Sequence, residues 1–489
     1  MPKRIGLCVK DMSTFAPGKP GGGGIGFSIN LLTTSCVYVD TSATSRECVV
    51  SCARSRVLSH HIAVFRTLLQ ENGLRSDFFI AVVGNAETSL MHCGLGSTSS
   101  LVLGLYFGVN EAIGLPFSRE ELRLLLAFNY VEEGTQPETV GFGYETSMTG
   151  TGAVAGGMFV IDEHTLEITS RNVEAFGEKP VYVFMPDSDQ HAPITADEEA
   201  ALLTECGHVD STLSKDAIFN ALKSELAHGP ACNLRAVGDL VWQLQTLGSK
   251  RMELLKQSSG SRILSFMESV RSVECVSVTG MSSIGPAAVV LADREDPRIV
   301  ELAARCGLKA LAVTSVNVCG AVVREEPVPE LVCVLGPPCA GKSTWCELIK
   351  SAVHFSGGQF IRDYINSHSD AAAETLRSIV EAGQVRDVED VTTKTVLPEL
   401  YRLMSSSSCV LLDGIPRSVL QLECWLRRFT TPIARLVTVS APVETRRARY
   451  EARKRESDVD FSTREAHDET EAMVAYCREQ GVQVQVQAS

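Results

Sequence analysis

The sequence predicts two domains of different fold class: an α+β domain with antiparallel strands, then a three-layer, doubly wound α/β domain with a parallel sheet. Three observations lead to this prediction. A chain of 489 residues is too long for one ordinary hydrophobic core. The later part alternates strand and helix patterns, whereas the earlier part mixes short apolar strands with helical stretches. Charges and prolines in "VVREEPVPELVCVLG" separate the two parts, so we place the domains at 1–325 and 326–489.

In the first domain, short apolar segments interleave with helical ones. "FFIAVVG", "GGMFVID", "PVYVFMP" and "CVSVTG" have the length and composition of strands. "SREELRLLLAFNYVEEG" has helical periodicity. Such a mixture is typical of α+β folds with antiparallel sheets.

The second domain alternates more regularly. Strand patterns occur in "LVCVLG", "CVLLDG" and "ARLVTVSAP", and a basic helix follows in "VETRRARYEARKRE". The chain ends with a helix-to-strand pattern in "EAMVAYCREQGVQVQVQAS". Strands that alternate with helices predict a parallel sheet wrapped by helices.

Composition narrows the class of protein. The formal charge is −14 and the pI is about 5.3, which argues against a surface that coats nucleic acid. No run approaches 18 apolar residues, so we expect no membrane partner. Most of the sixteen cysteines stand in apolar runs, as small buried hydrophobes do, so we expect a reducing compartment, the cytoplasm.

The clearest motif is "GPPCAGKS" at 336–343, which matches G-x-x-x-x-G-K-[ST] between a strand and a helix. Backbone N–H groups of such a loop surround phosphate oxygens, and the lysine neutralises the transferring end. The hydroxyl after the lysine ligates Mg²⁺. The motif therefore predicts ATP and Mg²⁺ as cofactors, with phosphate contacts from Gly336, Gly341, Lys342, Ser343 and Thr344.

Four further stretches of the second domain resemble the adenylate kinase and UMP-CMP kinase type of nucleoside monophosphate kinase. They are "FSGGQFIRDYI", "EAGQVRDVEDV", "LLDGIPRSVLQLE" and "RARYEARKRE". The resemblance implies transfer of the γ-phosphate of Mg·ATP to a nucleoside monophosphate or a related phosphorylated acceptor. Cys339 stands where that family usually has glycine.

The same resemblance implies roles for individual residues. Acceptor contacts fall on Arg362, Arg417 and Gln421. Asp413 orients Mg²⁺-bound water, and the catalytic cations are Lys342, Arg417, Arg453 and Arg464. Arginine suits this chemistry because its planar fork grips phosphate through two parallel hydrogen bonds. For Arg447, Arg449, Arg453 and Arg455, a solvated helix face is the alternative interpretation.

Glycine-rich stretches also mark the first domain: "APGKPGGGGIGFSIN", "MHCGLGSTSSLVLGLYFGVNEAIG" and "VTGMSSIGPAAVVLAD". Glycines let the backbone approach a ligand closely, and hydroxyls at a helix start offer hydrogen bonds to an anion. An N-capped helix after a tight turn is the alternative for any one loop. The predicted phosphate contacts are Gly94, Gly96, Ser97, Thr98, Ser99, Gly280, Ser282, Ser283 and Gly285.

Together these stretches resemble the GHMP kinase superfamily, and more closely its β-ribofuranosylaminobenzene 5′-phosphate synthase branch. The resemblance implies a small-molecule kinase that uses ATP or a phosphoribosyl-type transferase; a non-catalytic binding or scaffold module is the third alternative. Asp40, Glu145 and Asp162 are candidate bases by residue type, with a surface turn or cap as the alternative. We expect nucleotides and a small-molecule acceptor as partners; the sequence predicts neither the acceptor nor the oligomeric state.

Overall fold

The structure is a computed structural model. It describes every residue except 15, 17, 43, 45, 53, 86–92, 134–138, 188–195, 383–388, 429–432, 454–459, 467 and 489. The chain divides into two compact units. The first unit comprises Met1–Val37, Cys52–Ser76 and Gly84–Val323, and the second comprises Tyr38–Ser51, Asp77–Val83 and Arg324–Ser489.

Strands and helices alternate irregularly up to the linker. In chain order they are β1 (Pro2–Cys8), β2 (Gly24–Leu32), β3 (Thr34–Asp40), β4 (Cys48–Ser51), α1 (Ser55–Glu71), β5 (Phe79–Asn85), α2 (Ser97–Ala112), α3 (Arg119–Asn129), β6 (Val131–Glu133), β7 (Val140–Phe142), α4 (Met148–Ala155), β8 (Met158–Ile161), β9 (Ile168–Asn172), β10 (Pro180–Pro186), α5 (Ala196–Asp210), α6 (Asp216–Leu226), α7 (Leu234–Gln245), α8 (Gly248–Lys256), α9 (Gly260–Val270), β11 (Val276–Met281), β12 (Ala288–Ala292), α10 (Pro297–Arg305) and β13 (Leu308–Ser315).

After the linker, strands and helices alternate more regularly. They are β14 (Glu330–Leu335), α11 (Lys342–Leu348), β15 (Val353–Ser356), α12 (Gly357–Ser367), α13 (Ala371–Ala382), α14 (Glu389–Met404), β16 (Cys409–Asp413), α15 (Val419–Arg428), β17 (Ile433–Ser440), α16 (Val443–Arg453), α17 (Phe461–Ala466), α18 (Thr470–Glu479) and β18 (Gln483–Ala488). None of the helices in the described ranges combines the length and apolar character needed to cross a bilayer.

Two four-stranded sheets organise the first unit, in the orders β1-β2-β8-β9 and β11-β12-β10-β13. Every strand pair in both sheets is antiparallel, which confirms the strand arrangement expected for this part of the chain. Apolar side chains of both sheets and of α6 and α7 form one buried cluster, which includes Ile5, Phe27, Val183, Phe219 and Val241. This core fixes the strands from which the glycine-rich loops emerge.

A five-stranded sheet of order β15-β16-β14-β17-β18 organises the second unit, and all its strand pairs are parallel. The parallel sheet predicted from the strand-helix alternation is confirmed. β14 is central, and the chain leaves it for β15 and β16 on one side and for β17 and β18 on the other. Ligands of open parallel sheets bind where the direction of winding reverses, beyond the carboxyl ends of such strands. In this sheet those ends carry Gly336 and Asp413.

Two early segments belong to the second unit, which the sequence did not predict. They contribute most of a three-stranded sheet of order β3-β5-β4, in which β4 and β5 run parallel. Tyr401 of α14 packs against this sheet. Its ring centroid lies 5.0 Å from that of Tyr38 and 6.2 Å from that of Phe79. Aromatic pairs at these distances stabilise the packing beyond their buried area.

Candidate active sites

The predicted phosphate loop of the second unit connects β14 to α11. A methyl group on Gly336 would lie 2.1 Å from the carbonyl oxygen of Val439, so the close approach of two strands requires glycine there. The ammonium of Lys342 donates to the carbonyl oxygens of Gly336 at 2.7 Å and of Pro337 at 3.0 Å. The lysine therefore lies folded over the loop that it follows in sequence. Ser343 and Thr344 continue into α11 with exposed side chains.

Two predicted magnesium ligands meet at the carboxyl edge of the sheet. Ser343 Oγ donates to Asp413 Oδ2 at 2.6 Å, across 70 positions of sequence. Asp413 ends β16 and is 5% exposed. Hydroxyl and carboxylate oxygens are the ligands that Mg²⁺ prefers, so this pair fits the ion chemically.

Two side chains that the sequence analysis did not single out border this pair. His354 of β15 places Nε2 at 3.1 Å from Asp413 Oδ2. Cys346 of α11 packs in the core with Val334 and Leu411. Burial raises the pKa of the Cys346 thiol to about 12, and the negative charge of Asp413 is the next cause. The edge of the candidate site thus combines oxygen, nitrogen and sulfur donors.

The two arginines predicted to hold the acceptor face the same point on α12. A methyl group on Gly358 would lie 3.1 Å from Arg417 Nη2 and 3.5 Å from Arg362 Nη1. Arg417 Nε donates to Gly414 O at 2.8 Å, and Arg362 Nη2 donates to Gln359 Oε1 at 2.7 Å. Guanidinium groups that converge in this way are suited to hold an anion such as phosphate.

Gln421 holds the loop that carries Arg417. Its Oε1 accepts from the backbone N–H of Arg417 at 2.8 Å, and the residue is 1% exposed. The observed role is to position this loop. Direct contact between Gln421 and an acceptor stays a prediction.

Among the arginine side chains of α16 that the structure describes, that of Arg449 contacts the phosphate loop. Its Nη1 lies 3.3 Å from the carbonyl oxygens of Cys339 and Ala340. From the sequence, a solvated helix face was the alternative interpretation for Arg449. Arg449 stands four residues before Arg453 and so lies on the same helix face, and this spacing could have indicated a phosphate contact from the sequence.

Some predicted residues lie outside the described part of the structure. The backbones of Arg453 and Arg464 belong to α16 and α17, but their side chains are outside the described residues. Arg455 and residues 383–388 in the stretch "EAGQVRDVEDV" lie wholly outside the described residues. Their roles stay predictions.

Cys339 adopts a left-handed conformation, with φ of 63°, inside the phosphate loop. This is the position at which the sequence departs from the glycine of the resembling family. The Cys339 side chain is 7% exposed and packs against Tyr450 and Phe461. Left-handed backbone costs about 1–2 kcal/mol for residues with a Cβ, so this contact offsets strain.

The predicted loops of the first unit are joined to each other. Ser282 Oγ donates to Gly94 O at 2.7 Å and accepts from the backbone N–H of Gly6 at 3.1 Å. A methyl group on Gly94, whose φ is 84°, would lie 2.2 Å from Ser282 O. The structure thus brings together loops that lie 188 positions apart. Gly280 belongs to β11 and Gly285 follows it with φ of 84°.

The first turn of α2 holds the predicted hydroxyls, and all three side chains are nearly buried. Ser97, Thr98 and Ser99 are 6%, 6% and 4% exposed. Lys3 Nζ donates to Ser97 Oγ at 3.0 Å. Gly96 precedes them with φ of 66°, and a methyl group there would lie 2.5 Å from Thr149 Oγ1. Close packing of the loop onto α4 therefore requires this glycine.

Arg4 joins three elements of the first unit and was missed from the sequence. Its Nε donates to Thr149 Oγ1 at 3.1 Å, and its Nη2 donates to Ser283 Oγ at 3.3 Å. Two adjacent basic residues, at positions 3 and 4, stand inside a strand that is otherwise buried. Because charged residues are rarely buried without a partner, this pattern could have indicated a functional role for Arg4.

Of the three candidate bases, only Glu145 lies at the loops. Its Oε2 accepts from Ser99 Oγ and its Oε1 from the backbone N–H of Ser147, both at 2.8 Å. Burial raises the pKa of Glu145, while the charge of Arg4 and these hydrogen bonds act in the opposite direction. Asp40 and Asp162 accept hydrogen bonds from backbone N–H groups two residues ahead, as turn residues do.

Buried ion pairs lie near these loops. The ammonium of Lys215 donates to Asp210 Oδ2 at 2.8 Å, to Ser249 Oγ at 3.1 Å and to Val9 O at 3.1 Å. The ammonium of Lys250 pairs with Glu253 at 2.9 Å and also donates to the carbonyl oxygen of Ser283. All four charged side chains are at most 2% exposed.

The glycine run that starts "PGGGGIGF" has a packing role. A methyl group on Gly24 would lie 2.2 Å from Cys8 O, and one on Gly23 would lie 2.6 Å from Ile161 O. β2 pairs with β1 on one side and with β8 on the other. The close approach of these backbones accounts for the two glycines.

Comparison with known proteins finds partial likenesses. No family model matches the chain. It is 33% identical to adenylate kinase of Thermotoga neapolitana over 95 residues, which cover 18% of this chain and 41% of the relative. It is 34% identical to human adenylate kinase isoenzyme 1 over 120 residues, 23% and 59% of the two chains. It is 35% identical to rabbit (Oryctolagus cuniculus) adenylate kinase isoenzyme 1 over 127 residues, which cover 24% of this chain and 62% of the relative. The chain thus spans about half the length of these curated relatives.

Among solved structures, homoserine kinase from Cytophaga hutchinsonii aligns with 65% of this chain and 96% of its own, at TM-score 0.44 and 11% identity. Lactococcus lactis galactokinase aligns with 66% of this chain and 94% of its own, at TM-score 0.48 and 14% identity. L. major mevalonate kinase aligns with 66% of this chain and 95% of its own, at TM-score 0.42 and 15% identity. Likenesses this loose do not assign a fold family.

Proposed function

We propose that the second unit transfers the γ-phosphate of Mg·ATP to a nucleoside monophosphate or a related phosphorylated acceptor. One observation carries this proposal: Arg362 and Arg417, far apart in sequence, turn their guanidinium groups toward the same point on α12. A pair of converging arginines is suited to an anionic phosphate. The partial identity to adenylate kinases supports the same activity. The stretches whose motifs resemble that family all lie between 330 and 489.

ATP phosphates would be held by the loop from Gly336 to Thr344, with Lys342 neutralising the transferring group. Ser343 and Asp413 would hold Mg²⁺, directly or through water, because their oxygens are already in contact. Mg²⁺ held there would help to neutralise the negative charge of the ATP phosphates. Phosphoryl transfer needs positioning and charge more than a base, and the described side chains provide both.

Arginines of α16 would complete the charge around the transferring group. Arg449 already contacts the phosphate loop through Cys339 O and Ala340 O. We propose Arg453 and Arg464 as further phosphate contacts on the resemblance to the monophosphate kinases alone.

The test uses the full chain with ATP and, in turn, AMP, UMP and CMP, and measures ADP formation. Arg417→Ala should raise the KM of the accepted monophosphate about 10- to 100-fold, because a charged hydrogen-bonding pair contributes about 1.5–3 kcal/mol. The KM of ATP should stay close to that of the wild type. Arg402→Ala is the matched control, since Arg402 pairs with Glu399 on the exposed face of α14. A wild-type chain that forms no ADP with any of the three acceptors would overturn transfer to a nucleoside monophosphate.

For the first unit, we propose a GHMP-like small-molecule kinase in residues 1–325, followed by the monophosphate kinase-like domain in 326–489. The joined glycine-serine loops, with Arg4 between them, support phosphate binding. Glu145, next to Ser99, is the candidate base. A phosphoribosyl-type transferase or a non-catalytic binding module are the alternatives that the resemblance leaves.

The Lys342→Ala chain separates these alternatives because it silences the second unit. Its remaining ATP consumption with a pool of metabolites would support a kinase in the first unit. Pyrophosphate release would support the transferase. Thermal stabilisation by a metabolite without turnover would support the binding module.

A further inference from the structure

Three side chains with different donor atoms meet beside the phosphate loop. One ligand atom each from Cys346, His354 and Asp413 lies within 4.8 Å of the other two. They come from α11, β15 and the end of β16, so separate elements of the second unit converge here. Among the residues that the structure describes, this is the one such group of three metal-ligating types.

The environment of the group suits a bound ion. Cys346 and Asp413 are 1% and 5% exposed, while the side chain of His354 is 23% exposed. His354 Nε2 and Ser343 Oγ both lie within hydrogen-bond distance of Asp413 Oδ2. The group is therefore partly enclosed, with the imidazole on its open side and a hydroxyl next to it.

The donor set discriminates between metals. Mg²⁺ takes oxygen ligands in octahedral geometry, whereas a thiolate with an imidazole selects Zn²⁺ and similar ions. In a tetrahedral zinc site the ligand atoms are about 3.5 Å apart, given bonds of about 2.0–2.3 Å. Small side-chain movements would close the observed group to that spacing. Ser343 Oγ or a water would take the fourth position.

We propose that Cys346, His354 and Asp413 bind a divalent transition metal of the zinc class, and that this ion inhibits the second unit. Binding forms metal–sulfur, metal–nitrogen and metal–oxygen bonds, and the thiol proton leaves to solvent. The ion engages the Asp413 oxygen that Ser343 now contacts, so it takes at least one of the two proposed Mg²⁺ ligands. Metal binding is independent of the proposed kinase function, but inhibition rests on it.

Binding is tested with Co²⁺, which reports its ligands by absorption. Equimolar Co²⁺ added to the full chain without nucleotide should give a near-ultraviolet sulfur-to-cobalt band and intense visible bands of a tetrahedral site. Cys346→Ser should abolish the sulfur band, while the matched control Cys409→Ser, a half-buried cysteine at the other end of β16, should keep it. Circular dichroism establishes that both variants are folded.

His354→Gln provides a second variant on the partly exposed side of the group. It should weaken Co²⁺ binding at least about tenfold, because even residues behind the ligands of metal sites contribute 10- to 100-fold. His368→Gln, at an exposed position after α12, should bind Co²⁺ as the wild type does. A sulfur band that persists in Cys346→Ser, or no band in the wild type, would overturn the inference.

Inhibition is tested by ADP formation at several Mg²⁺ concentrations with added Zn²⁺. Inhibition should weaken as Mg²⁺ rises, and Cys346→Ser should need at least about tenfold more Zn²⁺ for the same effect. Equal zinc sensitivity of the two chains would refute the inhibitory role. The cobalt spectra distinguish the two proposals. If the wild-type chain forms no ADP but shows the sulfur-to-cobalt band, the kinase proposal is refuted and the metal site is supported.

Discussion

In the first unit, two lysines near the glycine loops are paired with buried carboxylates, whereas in the second unit the lysine of the phosphate loop donates to backbone carbonyls. Lys215 and Lys250 contact Asp210 and Glu253. Lys342 donates to Gly336 O and Pro337 O. A carbonyl oxygen carries no net charge, so these two hydrogen bonds do not themselves neutralise the ammonium of Lys342. Equivalent substitutions should therefore cost stability in one unit and activity in the other.

The largest effect is expected from Lys215→Met in the first unit. All three ammonium protons of Lys215 are donated, and Asp210 would remain buried without its cation. Breaking a buried pair by removing one partner costs about 3–5 kcal/mol. Denaturant unfolding of the full chain should show this loss in the transition of the first unit.

Lys256→Met is the control for this prediction. Lys256 pairs with Glu205 at 2.6 Å, but both side chains are about half exposed. Exposed pairs contribute about 0–1 kcal/mol. Equal destabilisation by the two variants would remove the distinction between buried and exposed cations in this unit.

The next effect in size is expected from Lys342→Ala in the second unit. Loss of one preorganised charge at the transferring phosphate should lower kcat for ADP formation about 100- to 1,000-fold. The unfolding free energy should change little, because Lys342 is only half-buried. Lys350→Ala, exposed just after α11, is the control and should keep wild-type turnover. Turnover near that of the wild type in Lys342→Ala would contradict the role given to the loop.

The predictions for Lys215 and Lys342 differ in how far the sequence alone supports them. The phosphate loop is a local pattern of strand, glycines and helix, so Lys342 and Ser343 were found directly. Asp413 was found through the resemblance of "LLDGIPRSVLQLE" to the monophosphate kinases, and the structure places it at the end of a parallel strand beside β14. Lys215 was not found, because nothing local distinguishes a lysine paired in the core from one on the surface.

Long-range contacts explain the remaining gaps. Arg4 meets Thr149 and Ser283 across 145 and 279 positions, and no local pattern encodes such a meeting. The ring contact between Tyr38 and Tyr401 also joins residues far apart in sequence, so no local pattern predicts it. Glu145 was one of three acidic candidates, and burial next to Ser99 is what separates it from the two turn residues.

A smaller effect, dependent on pH, is expected from His61 of α1. Its Nδ1 lies 2.7 Å from Tyr106 OH, and burial lowers the pKa of His61 from 6.5 to about 3, with His60 the second cause. Below pH 6.5 the unfolded chain binds a proton that the folded chain does not. Stability of the first unit should therefore fall by up to about 1.4 kcal/mol per pH unit between pH 6 and 4.

His61→Gln should flatten this dependence, because glutamine does not titrate. Unfolding free energies of the wild type and the variant, measured from pH 7 to pH 4, give the difference. His208→Gln, which changes an exposed histidine, is the control and should keep the wild-type slope. Parallel curves for the wild type and His61→Gln would show that His61 does not set the acid limit of this unit.

The smallest effect concerns how the two units build their loops. The first unit places glycines at the left-handed positions Gly94 and Gly96, whereas the second places Cys339 at φ of 63°. At ordinary positions alanine is more stable than glycine by about 0.5–1 kcal/mol. At a left-handed position the order reverses, because a Cβ costs about 1–2 kcal/mol there.

Cys339→Gly and Cys339→Ala both remove the thiol contact with Tyr450 and Phe461, so the difference between them isolates the backbone. We expect Cys339→Gly to be the more stable by about 1 kcal/mol in denaturant unfolding of the second unit. The matched control Ala475→Gly, at an exposed position inside α18, should show the ordinary order, with glycine the less stable. If alanine were the better residue at 339 as well, the loop would not hold left-handed backbone in solution, and Cys339 would be a packing residue without strain.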